Sequence, residues 1–531
     1  MTMGKNETPA ESPTGAMECD VLVVGGGING AGIARDAAGR GLSVVLCEQD
    51  DLGAHTSSAS SKLIHGGLRY LQYYEFGLVR KALREREVLM RSAPHLIREL
   101  RFVMPHVKGL RPAWMLRCGL FLYDRLARRE LLAASRQVAL RQHQAGVPLA
   151  AGMERGFVYS DASVDDARLV VLNAVAAAEH GARVLTRTRC VSVAAHGGRW
   201  HAELRREDGS RVAVRAASLV NAGGAWAMKL HALADGARQR PLRLVKGSHI
   251  VVRKLFDHDH AYIFQHPDGR IVFAIPYQSG YTLVGTTDME YDGDPARVGI
   301  STSEVDYLCE LSNTYFRSRI TAGDVVWSYA GVRPLIDNGA GSAQALTRDY
   351  EIVADQRNAP LLSVFGGKVT TYRTLAEQAL DQLGEMIAIP GKAWTATACL
   401  PGGDLLGAAA SNESVAHFPA FAAGLAVRYP WLPPALLQRY ARAYGTRVHR
   451  MLDGCGDSAG MGAEIAPQLY ERELAYLVKA EWARTADDVL WRRTKLGLDV
   501  PPFAAAAVGE WLRRNSGNDS GSGNIAGAGS A

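Results

Sequence analysis

The alternation of apolar and polar positions near the N-terminus predicts a strand, a tight turn, a helix and a second strand. Residues 20–24, DVLVV, form a short apolar run that is typical of a buried parallel strand. A glycine-rich segment follows, and residues 28–40 have the composition of a helix, which Gly41 should end. A second apolar run at 43–48 predicts the next strand. This order predicts an α/β fold that begins with a Rossmann-like unit.

Two later apolar runs also end in turns made of small residues. Residues 217–220 lead into Asn-Ala-Gly-Gly at 221–224, and residues 361–365 lead into a glycine pair with a helix starting near Thr370. Further strands are expected at 182–193, after a long basic and helical region at about 75–130. Three such turns, spread over about 350 residues, predict one extended ligand that is touched by discontinuous segments.

The first turn carries the G-x-G-x-x-G spacing of a dinucleotide site, formed by Gly25, Gly27 and Gly30. Gly25 permits the tight turn, Gly27 lets the backbone approach a pyrophosphate, and Gly30 lets the helix pack closely on the sheet. Glu48 ends the second strand, where its carboxylate can accept hydrogen bonds from a ribose. The alternative is a glycine turn without a ligand, which the flanking strands and Glu48 disfavour. The motif alone does not separate a nicotinamide from a flavin dinucleotide.

Length and composition narrow the picture. A chain of 531 residues is too long for a single hydrophobic core, so two or three domains are expected. Its 47% hydrophobic and 21% charged residues are typical of a globular protein. A formal charge of +6 gives no reason to expect a nucleic-acid partner. Seven dispersed cysteines without C-x-x-C or other metal-ligand spacing predict a reduced cytosolic setting and no metal site. No apolar window is long enough to predict a membrane-spanning helix.

Several long motifs resemble those of the FAD-dependent glycerol-3-phosphate dehydrogenases. They are GGGINGAGIARDAAGRGLSVVLCEQDDL (25–52), TSSASSKLIHGGLRYLQ (56–72), EFGLVRKALREREVL (75–89), LVKGSHIVV (244–252), GTTD (285–288), SYAGVRPL (328–335), TRDYEI (347–352) and SVFGGKVTTYR (363–373). The resemblance covers about residues 18–515. It implies FAD-dependent oxidation of sn-glycerol 3-phosphate to dihydroxyacetone phosphate, with electrons passed to a membrane quinone.

The resemblance also implies the domain organisation. Residues 18–400 would combine a FAD-binding domain of the glutathione-reductase and D-amino-acid-oxidase type with an interleaved α+β substrate cap. Residues 401–515 would form an all-α C-terminal domain, which either stabilises the fold or contributes a homodimer contact. Residues 1–17 and 516–531 are expected to be a disordered leader and tail.

The cofactor contacts are expected at all three turns and in the hydroxyl-rich stretch that begins at Ser57. In that stretch, the serines and Lys62 would face the pyrophosphate and ribityl chain, and a glycine pair would pass beneath the flavin ring. The predicted contacts are Gly25, Gly27, Ile28, Asn29, Gly30, Glu48, Ser57, Ser60, Ser61, Lys62, Gly66, Gly67, Val191, Ala222, Gly223, Gly366, Gly367, Lys368, Val369 and Thr370.

A phosphorylated substrate requires cations, and arginine grips phosphate best because its guanidinium offers a planar fork of donors. The resemblance places four residues in the substrate pocket: Arg69, Tyr70, Arg333 and Arg348. It places Lys368 near flavin and substrate. Pro334 predicts that Arg333 lies in a loop rather than in a regular strand. For each arginine the alternative is a solvated surface charge.

The oxidation also requires a general base within hydrogen-bond reach of the alcohol. His65 is the first candidate and His249 the second, and for either the alternative is a packed, hydrogen-bonded histidine. Thr287 and Asp288 follow the predicted strand at 281–285 and are expected to line the pocket, although Asp288 equally fits a helix cap or turn.

Within residues 111–129, the stretch from Trp114 onward mixes large apolar side chains with four arginines, a pattern that suits a helix lying on an anionic lipid surface. The alternative is an amphipathic helix packed on the core. Surface binding would attach the protein to the inner face of the cytoplasmic membrane. Two alternatives to the quinone-linked dehydrogenase remain open: a soluble oxidase that reduces oxygen to hydrogen peroxide, and a non-catalytic flavin-binding scaffold.

Overall fold

The computed structural model describes residues 15–107, 112–234, 242–265, 270–337 and 349–515. The strands are β1 (Met17–Val24), β2 (Val44–Cys47), β3 (Leu63–Ile64), β4 (Ile97–Pro105), β5 (Arg136–Ala139), β6 (Arg155–Val164), β7 (Arg183–Leu185), β8 (Thr188–His196), β9 (Arg199–Arg206), β10 (Arg211–Asn221), β11 (Leu242–Arg253), β12 (Ala261–Gln265), β13 (Ile271–Tyr277), β14 (Tyr281–Gly285), β15 (Met289–Glu290), β16 (Val325–Ile336), β17 (Tyr350–Asp355), β18 (Leu361–Gly366), β19 (Glu464–Ala466) and β20 (Leu469–Tyr470).

The helices are α1 (Ile28–Gly39), α2 (Phe76–Ser92), α3 (Ala113–Arg125), α4 (Asp166–Glu179), α5 (Ala227–Leu233), α6 (Thr302–Tyr315), α7 (Tyr372–Leu383), α8 (Asn412–Arg428), α9 (Pro434–Tyr444), α10 (Val448–Met451), α11 (Glu471–Glu481) and α12 (Phe503–Asn515). Within the described ranges, none of these helices is both long and apolar enough to cross a lipid bilayer.

The first sheet gathers the three predicted turns at one edge. Its order is β17-β18-β10-β1-β2-β7, and β18, β10, β1, β2 and β7 run parallel. Val24 lies level with Cys47 and with Asn221, which in turn lies level with Ser363. The carboxyl ends of four strands therefore coincide, as expected for a ligand that binds across a doubly wound sheet.

Helix α1 is buried on nearly every side because it packs against α4 and α7 as well as the sheet. Small residues make this approach possible, and a β-carbon on Gly32 would lie 2.7 Å from the Tyr372 ring. Such close packing fixes the direction of α1, and with it the position of the helix N-terminus at the carboxyl edge of the sheet.

The second sheet forms the cap. Its order is β15-β11-β14-β13-β12-β4-β6-β3, with β16 paired to β11 and β5 paired to β6. The prediction that Pro334 ends regular structure is wrong, because Arg333 and Pro334 lie inside β16 opposite Val245 and Leu244. Strand β16 pairs with β11 alone among the described strands, and an edge strand tolerates proline since one side needs no amide donor.

The C-terminal helices enclose a separate apolar core. Helix α11 ends at Trp482, whose φ is +56°, and a π-helical turn (Asp488–Arg493) follows. Buried ion pairs join this region to the elements packed around the first sheet, including Arg168 in α4 with Glu481 in α11. The C-terminal helices thus form a domain that is anchored by charge as well as by apolar packing.

Candidate functional site

Two adjoining cavities follow the carboxyl edge of the first sheet. Their volumes are about 550 and about 290 Å³. The residues that line both are Gly27, Thr56, Ser57, Ala222 and Gly224. The cavities therefore form one groove, which runs from Glu48 at one end to Lys368 at the other.

Glu48 is buried at the first end of the groove, as predicted. Its carboxylate accepts hydrogen bonds from the backbone N–H of Gly26 (2.6 Å) and of Asp50 (2.9 Å), and burial raises its pKa. Each carboxylate oxygen retains a lone pair for a further donor. Asp50 and His55 join at 2.8 Å beside it, and that hydrogen bond holds the pKa of Asp50 below its usual range. This end offers acceptors suited to ribose hydroxyls.

The first glycine turn brings backbone where a side chain cannot fit. Gly25 has a φ of +114°, and a β-carbon there would lie 2.4 Å from the carbonyl oxygen of Ala222. The Ser57 hydroxyl accepts a hydrogen bond from the N–H of Ile28 at 3.0 Å. Gly27, Ile28 and Asn29 line the second cavity, so the N-terminus of α1 faces the groove. A helix N-terminus at this point favours a phosphate.

The third turn closes on the first through Asn29. Its amide donates a hydrogen bond to the carbonyl of Gly366 at 3.1 Å, and a β-carbon on Gly367 would lie 2.7 Å from that amide nitrogen. The side-chain oxygen of Asn29 is buried without a partner among the described residues. An unpaired buried acceptor requires a donor. The residues present therefore fit a dinucleotide that carries hydroxyl groups along its middle, as FAD does.

Most of the other predicted contacts also line the groove. Gly25, Glu48 and Gly223 line its first half, and Ser60, Ser61, Gly67, Gly366, Gly367, Lys368, Val369 and Thr370 line its second half. The hydroxyls of Ser60 and Ser61 are bonded within the protein, to Asp166 at 2.7 Å and to the His249 ring at 2.9 Å. Gly30 and Val191 do not line either cavity, whereas Cys190, the neighbour of Val191, does. Gly30 packs against the carbonyl of Gly25 instead.

Lys62 does not face the groove, and this corrects the prediction that it meets the pyrophosphate. Its buried ammonium contacts both carboxylate oxygens of Asp166 at 3.0 Å and the carbonyl of Ser58 at 2.9 Å. Burial lowers the pKa of Lys62, and although burial alone would raise the pKa of Asp166, Lys62 and Lys495 hold it below its usual value. Lys62 is therefore part of a buried ion pair behind the hydroxyl-rich stretch.

Gly66 also has a packing role in place of the predicted contact beneath the flavin. It does not line the groove, and a β-carbon there would lie 2.4 Å from the Leu83 side chain and 2.5 Å from the Tyr123 hydroxyl. Its N–H donates a hydrogen bond to that hydroxyl at 2.9 Å. The glycine pair is thus divided, with Gly67 at the groove and Gly66 in the core.

Cations meet at the far end of the groove, where Arg333, Arg69 and Lys368 all line the second cavity. Arg333 contacts Asp288 at 2.6 Å and the Thr286 hydroxyl at 2.9 Å. Arg69 lies 4.0 Å from Asp288. The carboxylate therefore holds two guanidinium groups beside one cavity. The ammonium of Lys368 lies 3.9 Å from the centre of the Tyr70 ring, which lines the same cavity.

Thr287 does not line the pocket as predicted; its neighbour Thr286 does. The Thr287 hydroxyl is buried between the N–H of Ser248 and the carboxylate of Glu304, at 3.0 Å from each. Adjacent side chains of an extended chain point to opposite sides, so when Thr286 faces the cavity the Thr287 side chain faces the core. Arg348, the remaining predicted pocket residue, lies outside the described residues.

The two candidate bases occupy different places. His65 lines the second cavity, and its backbone N–H donates a hydrogen bond to the Thr370 hydroxyl at 3.2 Å. His249 does not line it; the ring is buried behind Ser61 and stacked on Tyr329 at 4.9 Å. Burial, followed by the charges of Arg333 and Lys62, holds the pKa of His249 well below 6.5. Of the two, only His65 can reach a ligand in the groove.

The cap also supplies an apolar wall to the second cavity, which was not predicted. It consists of Tyr159, Ile263, Ile271 and Phe273. Ile271 and Phe273 are two residues apart in β13, so they share one face of the sheet. That alternation was the available signal, but a core strand shows the same pattern. The cavity is therefore lined by apolar residues of the cap as well as by cations.

An exposed apolar surface lies beside the second cavity. Tyr73 lines that cavity and is 44% exposed, and Trp114 and Phe121 on α3 are 68% and 56% exposed. Helix α3 nevertheless packs on the core through Leu120 and Tyr123. The core-packing alternative is therefore confirmed for one face of this helix, and the other face presents aromatic groups to the outside. Binding to a lipid surface stays a prediction.

Comparison with known proteins agrees with this geometry. The FAD dependent oxidoreductase family matches residues 20–373, and the C-terminal domain of alpha-glycerophosphate oxidase matches residues 393–513. Glycerol-3-phosphate dehydrogenase of Pseudomonas aeruginosa is 55% identical over 93% of this chain and 95% of its own length. D-erythritol 1-phosphate dehydrogenase of Brucella abortus is 47% identical over 93% and 97%.

A solved structure extends the comparison to the fold. The glycerol-3-phosphate dehydrogenase from Bacillus halodurans complexed with FAD matches with a TM-score of 0.75 at 28% identity, covering 94% of this chain and 90% of that one. The resemblance found in the sequence is thus confirmed. The chain belongs to the FAD-dependent oxidoreductases that carry the C-terminal domain of alpha-glycerophosphate oxidase, and its cofactor is FAD.

Proposed function

We propose that this protein oxidises sn-glycerol 3-phosphate to dihydroxyacetone phosphate and passes the electrons to a membrane quinone. The observation that carries the proposal is the group of Arg333, Arg69 and Lys368 at the third-turn end of the FAD groove. Support also comes from the relatives named glycerol-3-phosphate dehydrogenase, at 55% identity in Pseudomonas aeruginosa and 48% in Escherichia coli.

In this proposal the arginines bind the phosphate. Arg333 is already aligned by Asp288 and Thr286, so little side-chain freedom is lost when it binds a ligand. Arg69, on the other side of Asp288, supplies a second guanidinium. A phosphate dianion can replace part of the contact with Asp288 and receive charge-assisted hydrogen bonds from both groups. In this proposal the apolar residues of the cap help to exclude water from the cavity that they line.

His65 is proposed as the base that accepts the hydroxyl proton of the substrate, because it lines the cavity and His249 does not. Lys368 carries a positive charge into the same cavity, where it favours the alkoxide that develops as the proton leaves. When bound, FAD supplies the acceptor for the hydride that leaves the substrate carbon bearing that hydroxyl. The protein's part is thus to hold the phosphate, take the proton and keep the reacting carbon dry.

The test is anaerobic mixing of the purified protein with glycerol 3-phosphate while the visible absorbance of oxidised flavin is followed. Bleaching is expected; its absence would refute the activity. D-erythritol 1-phosphate is measured in parallel, since the Brucella abortus relative is named for it. Faster reduction by the erythritol ester would move the substrate assignment to that compound. Faster reoxidation by oxygen, with peroxide release, than by a quinone analogue would favour the oxidase.

The membrane part of the proposal rests on α3. Trp114, Met115, Phe121 and Leu122 are exposed on this helix, together with the cationic Arg117 and Arg125. Large exposed apolar patches on soluble proteins mark interaction sites. Aromatic and cationic groups on one helix suit the headgroup region of an anionic bilayer. Helix α3 contacts the segment Leu68–Tyr73, and Tyr73 is exposed at the cavity, where a lipid-soluble acceptor would arrive.

The proposal places the protein on the inner face of the cytoplasmic membrane. Vesicles containing anionic lipid should bind the purified protein, and Arg117→Glu with Arg125→Glu should weaken that binding. The control is Arg199→Glu with Arg211→Glu, an equal change of charge on the exposed β9–β10 hairpin. Equal loss with both double variants would indicate attraction by net charge alone and remove α3 as the lipid-binding surface.

A further inference from the structure

The segment between β2 and the hydroxyl-rich stretch forms much of the first half of the groove. We name residues 48–57 the cofactor loop. Eight of its ten residues line the first cavity: Glu48, Gln49, Asp50, Gly53, Ala54, His55, Thr56 and Ser57. Asp51 differs from them. It is buried, it does not line that cavity, and its carboxylate is directed towards the C-terminal domain.

Asp51 receives hydrogen bonds from two consecutive arginines. Arg493 contacts both carboxylate oxygens, at 2.6 and 2.8 Å, and Arg492 contacts one of them through Nε at 2.6 Å. The Arg493 side chain is wholly buried. Both arginines belong to the π-helical turn of the C-terminal domain, more than 400 residues away in sequence. A bidentate pair of this kind fixes orientation as well as distance.

The same turn supports the loop from a second side. Asp488 pairs with Arg187 at 2.9 Å. The backbone N–H of Arg187 in turn donates to the carbonyl of Asp50 at 2.8 Å, and the N–H of Thr188 donates to the carbonyl of Glu48 at 2.7 Å. The π-helical turn therefore holds the residues on both sides of Asp50, while the loop binds Gly26 in the first glycine turn through Glu48.

We propose that the C-terminal domain, acting through Arg492 and Arg493 on Asp51, holds the cofactor loop in its FAD-binding shape. Asp51 is then a positioning residue for FAD retention rather than a contact of the cofactor. The domain thereby gains a role beyond stabilising the fold. The proposal concerns FAD binding alone and does not depend on which substrate the protein oxidises.

The experiment measures FAD affinity directly. Apoprotein is titrated with FAD while the flavin fluorescence is recorded, for the wild type and for Asp51→Asn, which removes the charge and keeps the shape. Breaking a buried ion pair is strongly destabilising, so the FAD dissociation constant should rise by about tenfold or more. The increase in melting temperature caused by added FAD should shrink in parallel.

Two controls separate positioning from general stability. Glu473→Gln breaks a bidentate pair with Arg439 (2.6 and 2.7 Å), whose carboxylate is as buried as that of Asp51 and which does not reach the loop. Glu179→Gln breaks the contact with Arg447 (2.7 Å) across the same domain boundary. Both controls are expected to lower the melting temperature and to leave the FAD dissociation constant unchanged.

Each outcome decides the question. Weaker FAD binding in Asp51→Asn alone supports the proposal. An unchanged FAD affinity in Asp51→Asn overturns it, as does an equal loss of affinity in Glu473→Gln or Glu179→Gln. If Asp51→Asn does not fold, Arg492→Lys is judged by the same criteria, since it keeps the charge and loses the fork that contacts Asp51 and Asp488.

Discussion

Replacing Arg333 by methionine tests the phosphate site while nearly preserving side-chain volume. In the wild type two of its nitrogens contact Asp288 and Thr286, and the side chain is 25% exposed. Two charge-assisted hydrogen bonds to phosphate contribute about 1.5–3 kcal/mol each. Because partial exposure to water weakens them, the lower value applies, and the loss is about 3 kcal/mol. Since about 1.4 kcal/mol of binding free energy corresponds to a tenfold change in a dissociation constant, KM should rise about 100-fold.

The assay is steady-state oxidation of glycerol 3-phosphate with an artificial electron acceptor, together with competitive inhibition by inorganic phosphate. Arg333→Lys should give an intermediate KM, because an ammonium keeps the charge and loses the planar fork. Arg333→Met with Asp288→Asn removes the carboxylate that would otherwise be left facing the phosphate. Arg253→Met is the control, since Arg253 lies on β11 and contacts Tyr281 instead of the cavity. An unchanged KM and unchanged phosphate inhibition would refute the assignment.

Three further predictions concern residues that do not line the two cavities. Gly66→Ala should lower the free energy of unfolding by about 1–3 kcal/mol by overpacking against Tyr123; urea denaturation checks it, and an unchanged midpoint contradicts it. Lys62→Met should lower the free energy of unfolding by about 3–5 kcal/mol, because it leaves the buried Asp166 carboxylate without its lysine partner. The double variant with Asp166→Asn should regain most of that stability, and no regain would contradict the pairing. Burial lowers the pKa of His95 to about 3. The unfolded chain therefore binds the extra proton first, and stability is lost as pH falls below about 6.5, by about 2 kcal/mol between pH 7 and 5; His95→Gln should reduce that loss, and an unchanged slope would refute it.

The parts of the fold that depend on neighbouring residues were predictable from the sequence. The strand, glycine turn, helix and strand at the N-terminus occur as β1, α1 and β2, within a few residues of the expected bounds. The strand expected at 182–193 occurs as two pieces, β7 and β8. Local spacing also predicted Glu48, because a residue at the carboxyl end of the second strand lies next to the glycine turn that follows the first strand.

The remaining features depend on partners far along the chain. The residues next to Lys62 in sequence suggest a cation that is available to a ligand. Its partner Asp166 lies 104 residues later and meets it only in the folded chain. Pro334 suggests a loop until β16 is known to be an edge strand. Thr286 and Thr287 are neighbours between β14 and β15, and their partners elsewhere in the fold decide which of them faces the cavity. Composition cannot separate the apolar wall from ordinary core, since both use alternating apolar residues.

The parallel strands beneath the FAD groove set an order of events during synthesis on the ribosome. Strand β1 lies between β2, which follows it at once, and β10, and β18 completes the row about 340 residues after β1 ends. At about 5–20 residues per second, roughly 20–70 s pass before the third glycine turn can join the first. Until then the apolar sides of β1 and α1 lack their final neighbours. A nascent chain that ends before residue 366 lacks part of the flavin site. We therefore expect FAD to bind late in the synthesis and folding of this enzyme.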